Sequence, residues 1–68
     1  MQVVEFKTVK GTVVTCCVKQ LLLLSVPYAM KGRHVEHKYT ACVADASWYI
    51  DEGVWRSLRE QMKGGLDG

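Results

Sequence analysis

From Gly11 to Met30 the chain carries a single charge, Lys19, over about the length that a membrane span requires. Whatever the chain folds into must cover that stretch, and no other feature limits the fold so tightly. A spanning helix is disfavoured, because a central lysine costs roughly 2.5 to 3.5 kcal/mol on insertion scales. Gln20, Ser25, Pro27 and two threonines dilute the run further. Burial in a globular core remains, and 68 residues provide for one small core in a single domain spanning 1–68. At the N-terminus MQVVEFKTVK lacks a basic segment leading into an unbroken apolar run, so no signal peptide is expected.

The run TVVTCCVKQLLLLSV fits two patterns. Alternation places Val14, Cys16, Val18, Leu22, Leu24 and Val26 on one apolar face of a strand, with Gln20 as the single miss. Helical spacing places Val14, Cys17, Val18, Leu21 and Leu22 on one stripe, with Thr15 and Lys19 opposite. Composition leans to a long strand over 12–26, because Val13 to Val18 is β-branched and cysteine-rich without a good helix former. The helix stays open as the alternative.

The flanking segments read more simply. Residues 2–9 form a strand with Val4 and Phe6 opposed by Glu5 and Lys7, and Lys10–Gly11 supplies a hairpin turn. Pro27 is expected to end the second run, with Tyr28 to Gly32 as a loop. Residues 33–44 alternate again, with Val35, His37, Tyr39, Ala41 and Val43 on one side and His34, Glu36, Lys38, Thr40 and Cys42 on the other. Pairing of this strand with the second run predicts an antiparallel ribbon whose loop end carries Lys31, Arg33, His34 and Lys38.

A helix follows over 52–63. Asp51 stands at its N-cap, Ile50 and Trp55 form a hydrophobic staple, Glu52 and Arg56 form an i,i+4 pair, and Gly64 occupies the C-cap place. Its apolar stripe is Val54, Trp55, Leu58 and Met62. Residues 46–51 stay undecided, and the tail from Gly65 is expected to fray. The fold expected is α+β: a small three-stranded antiparallel β-meander (2–9, 12–26, 33–44) with one C-terminal α-helix packed on one face.

Charge and cysteine bound the function. The net charge of +2 is too mild to announce a nucleic-acid binder, yet it is unevenly spread. Residues 1–44 carry six bases against two acids, and 45–68 carry three against five, which favours oriented docking on a charged partner. Three cysteines, two of them adjacent at 16 and 17, give no disulfide framework, and a reducing cytoplasm is the natural compartment.

No metal or cofactor is expected. A tetrahedral zinc needs four converging donors at recurrent spacings, and Cys16, Cys17, Cys42, His34 and His37 provide neither a Cys-x2-4-Cys nor a His-x3-5-His pattern. The one thiol and imidazole pairing to consider for nucleophilic catalysis, Cys42 with His34 or His37, lies along one short strand without an orienting third group. There is no phosphate-binding glycine loop and no HExxH, so an enzyme is not expected.

Binding remains. Leucines at 21 to 24 face both sides of a strand, and one helix covers one face of a sheet, so a homodimer or a docked target is implied. The expected reading is a non-enzymatic inhibitor or adaptor on a larger protein or nucleoprotein, similar in size and character to phage and mobile-element inhibitors. Its partner-binding residues would be Lys31, Arg33, His34 and Lys38 with Leu21, Leu23, Trp48 and Tyr49. The alternative is nucleic-acid binding by the same basic ribbon, flanked by Tyr28 and Tyr39.

Overall fold

The computed structural model describes residues 2–67, with side chains described to Lys63. The elements run β1 (Val3–Lys7), β2 (Val13–Cys17), a 3-10 turn (Val18–Gln20), β3 (Leu21–Lys31), β4 (His34–Val43), β5 (Ala46–Ile50) and α1 (Glu52–Asp67). The strands form an antiparallel β1–β2 hairpin and a three-stranded antiparallel sheet of order β3-β4-β5. The fold is α+β, with the helix packed against β1 and β4.

The meander is therefore built from different strands than the sequence predicts. The run 12–26 is not one strand and not a helix: it breaks at Val18–Gln20, where Lys19 and Gln20 are exposed. Polar residues at this point let the chain turn, so that the hairpin folds over the sheet instead of extending it. Facing also changes there. Before the break Val14 and Cys16 pack on the core, whereas after it Leu21 and Leu23 point inward and Leu22, Leu24 and Val26 point to solvent.

Three further expectations are corrected. Pro27 does not end the strand, and Tyr28 to Gly32 is not a loop, because β3 continues to Lys31 with a register shift between Pro27 and Ala29. An edge strand accepts a proline, whose missing N–H removes no ladder bond if it faces away from the neighbour. Ala46–Ile50 of the undecided segment 46–51 forms the edge strand β5, joined to β4 through Ala44 and Asp45. Gly64 does not terminate the helix, which continues to Asp67; glycine permits a left-handed cap without requiring one. Gly68 lies outside the described residues.

The core is the inner face of the sheet covered by hairpin and helix together. Val4 and Phe6 from β1, Leu21 from β3, Ala41 from β4, Ile50 from β5 and Leu58 from α1 are buried, Leu58 to 1% exposure. The Trp48 ring meets Phe6 edge-on at 6.2 Å, and Tyr39 packs against Trp55 at 5.1 Å. The helix begins where expected: the Trp55 N–H donates to the Asp51 carbonyl at 2.9 Å, and Arg56 Nη2 lies 2.7 Å from Glu52 Oε2. The hairpin turn is closed by Thr8, whose Oγ1 accepts from the Thr12 N–H at 3.1 Å, and Gly11 takes φ +91°.

Both two-residue turns of the sheet have positive φ at their first residue, Gly32 at +63° and Ala44 at +53°. Glycine adopts this region freely, while a Cβ there costs roughly 1 to 2 kcal/mol. Ala44→Gly is expected to raise unfolding free energy by about 1 kcal/mol in denaturant titration. Leu58→Ala is expected to lower it by about 2 to 5 kcal/mol, and the exposed Leu22→Ala by far less.

Candidate functional site: the outer face of the sheet

Antiparallel pairing places cross-strand partners on the same face, so the outer surface can be read from the register. Leu22 pairs with Cys42, which pairs with Ser47; Leu24 pairs with Thr40, which pairs with Tyr49; Val26 pairs with Lys38. The hairpin strands and the helix pack on the opposite side, while the hairpin turn reaches the β5 edge, where the Val9 N–H donates to the Tyr49 carbonyl at 2.9 Å. Leu22, Leu24, Val26 and Tyr28 on β3 and Tyr49 on β5 keep 41 to 58% of their surface exposed, with Thr40 and Lys38 of β4 between the two sides.

Lys38 organises the polar part of this face. Its Nζ lies 5.4 Å from the Tyr28 ring and 5.1 Å from the Tyr49 ring, holding two exposed aromatics on either side of one cation. Each contact is worth about 0.5 to 1 kcal/mol at an exposed site, enough to bias the rotamers of both rings. Tyr28 shares the parity of Leu22, Leu24 and Val26 along β3, which places its ring on this face beside Lys38.

At the far end of the ribbon Lys31, Arg33 and His34 surround the turn, as expected. Glu36 lies beside two of them, with its Oε1 4.0 Å from Lys31 Nζ and 3.9 Å from His34 Nε2. Lys38 does not belong to this tip: it pairs with Val26, about 13 Å along the strand from His34 at ~3.3 Å per residue.

The remaining expected contact residues divide. Leu21 is 5% exposed and belongs to the core, and Leu23 packs against it, because the turn at Val18–Gln20 directs odd-numbered residues inward. Trp48 also packs against the core, while its neighbour Tyr49 faces outward. The structure thus brings together Lys38 and Tyr49 with Leu22, Leu24, Val26 and Tyr28, and replaces Leu21 and Leu23 with their even-numbered neighbours on this face. The available signal was the polar pair Lys19–Gln20 as a point where the buried parity exchanges.

The chemistry-bearing side chains are dispersed. Cys16 faces the core from β2 and Cys17 the other side of that strand, while Cys42 lies on the outer face of β4. His37 and His34 stand five and eight residues from Cys42, about 16 and 26 Å along one strand. Among the described residues no group of three or more His, Cys, Asp or Glu is placed to hold a metal ion, and no helix is long and apolar enough to cross a membrane.

Comparison with known proteins gives no match: no family model, no curated protein and no solved structure matches this chain.

Burial, and secondarily the neighbouring Cys17, raises the Cys16 thiol above its ordinary value of 9.0. A thiol that holds its proton more tightly when folded ionises first in the unfolded chain, so stability is full below that value and declines as pH rises through it. Denaturant titrations at about pH 8 and 10 are expected to show a larger loss for the unmodified chain than for Cys16→Ala.

Proposed function

We propose that this is a non-enzymatic binding protein that docks on a larger protein through the outer face of the β3-β4-β5 sheet, as an inhibitor or adaptor. The observation that carries the reading is the exposed row of Leu22, Leu24, Val26 and Tyr28, with Tyr49 across β4, on one uncovered sheet face. Apolar area of this kind, clustered and rimmed by polar residues, is characteristic of protein contact surfaces. Tyr28 and Tyr49 supply anchors of the type that dominates such contacts, and Lys38 presets their positions. Lys31, Arg33 and His34 at the ribbon tip favour an acidic region of the target beside the apolar patch. A cytoplasmic place of action is part of this proposal, supported by three cysteines without a disulfide framework.

A second reading, single-stranded nucleic acid on the same face, is favoured by the two tyrosines beside Lys38 and by the tip cations. It is the weaker one. Lys38 already lies over both rings, and the leucine and valine row provides no donor to a phosphate.

Affinity capture followed by a binding titration with the captured protein tests the primary reading. Leu22→Lys combined with Tyr49→Lys is expected to weaken binding at least about thirtyfold, with Thr15→Lys on the hairpin as the folded control without effect. Equal binding by all three chains rejects the face. Binding to a labelled oligonucleotide with a log-log salt slope of several units, lost in Lys31→Ala, Arg33→Ala and Lys38→Ala together, replaces it with the second reading.

A further inference from the structure

The free edge of β3 carries information that its outer face does not. In a two-residue turn the closing pair is hydrogen-bonded, and hydrogen-bonded positions alternate along an antiparallel strand. Lys31 and His34 close one turn, and Val43 and Ala46 close the other. Even-numbered residues of β4 therefore bond to β3 and odd-numbered ones to β5.

It follows that Leu22, Leu24 and Val26 use their backbone groups on β4, while Leu21, Leu23, Ser25 and Pro27 point theirs away from the sheet. Two observations agree with this assignment. The Leu21 N–H donates backwards to the Val18 carbonyl, and Pro27 has no N–H to place. Among the described residues, the N–H and C=O groups of Leu23 and Ser25 are left at an edge that has β4 on its other side only.

Edge strands in soluble proteins are guarded by charges, bulges, prolines or short length. Here the proline and the bulge protect only the half of β3 near the tip. From Leu21 to Met30 the strand has no charge, so it has nothing to repel a copy of itself and nothing to answer a charged strand.

We propose that this edge is closed by β3 of a second copy, in antiparallel two-fold pairing centred on Leu24. The proposal rests on the reading of this region as a docking surface, but it uses the backbone edge instead of the side-chain face. In this register Leu23 lies opposite Ser25 of the second copy and exchanges both N–H···O=C bonds with it, and the reverse pair does the same. Every open group of Leu23 and Ser25 is then satisfied. Sliding two residues one way requires a Pro27 N–H, which does not exist. Sliding the other way requires the Leu21 N–H, which Val18 already holds.

Side chains match in the same register. Leu24 meets Leu24 of the second copy at a non-hydrogen-bonded position, where side chains approach most closely, and Leu22 meets Val26. Pairing joins two three-stranded sheets into one and merges their outer faces into a continuous apolar surface, with a Tyr28, Lys38 and Tyr49 cluster in each half.

Sedimentation of the full chain across a wide concentration series tests the inference. A dimer is expected. Its mass should halve in Ser25→Pro, which removes an outward N–H without touching the β4 ladder, and stay unchanged in Tyr49→Lys on the far strand. The register is read by mild oxidation: Leu24→Cys is expected to form a covalent dimer, because opposed Cα atoms at about 4.5 Å lie within disulfide reach, and Leu22→Cys is expected to form none beyond the unmodified chain. A chain that is monomeric throughout, or that gains mass only with an oligonucleotide or a target protein, overturns the inference. So does a covalent dimer of Leu22→Cys equal to that of Leu24→Cys. A dimer abolished by Tyr49→Lys but not by Ser25→Pro overturns the edge while leaving the docking face intact.

Discussion

The 3-10 turn at Val18–Gln20 exchanges the two faces of the chain, and the burial of everything after it follows from that exchange. Upstream, Val14 and Cys16 face the core from the hairpin; downstream, Leu21 and Leu23 do, with the opposite parity. A one-residue change of phase sends a whole strand face to the other side, because side chains alternate with period two. Leu22, Leu24 and Val26 would be core residues of one continuous strand, and the turn makes them surface residues. One small core cannot hold both sets, since hairpin and helix already fill the inner side.

That division places two interaction elements on one strand. Its side chains make an apolar face, and its backbone makes an edge with donors and acceptors directed outward. The two act in perpendicular directions, so an edge contact extends the face instead of covering it. The basic residues occupy the margins: Lys31, Arg33 and His34 at the ribbon tip, with Glu36 beside Lys31 and His34, and Lys38 between its two tyrosines. Charge here orients a partner, while apolar area and backbone pairing hold it.

Segments with one strong local signal were legible from sequence. The first hairpin followed from Gly11, the strand 33–44 from its alternation, and the helix start from Asp51 with the Glu52–Arg56 pair. Features set by tertiary balance were not. Ala44–Asp45 is not a dipeptide that announces a turn, so β5 went unread; its strained alanine is held by the strands on either side. Pro27 reads locally as a strand end, and only its place on a sheet edge lets the strand continue. Leu21 and Leu23 looked like contact residues because strand spacing alone does not tell which of two apolar faces a core will take. Tyr49 and the basic tip residues were legible as surface; the tyrosine pair around Lys38 depended on β3 continuing past Pro27 and on 46–50 forming a strand, which the sequence does not mark.

Amide hydrogen exchange at Leu23 and Ser25, followed by NMR as the protein is diluted, tests the central claim most directly. These two N–H groups point away from β4, so in a lone chain nothing within the sheet protects them, whereas a paired edge slows their exchange in proportion to dimer population. Protection at high concentration that is lost on dilution, while Leu22 and Leu24 stay protected throughout, is the expected result. Rapid exchange of Leu23 and Ser25 at every concentration would contradict it.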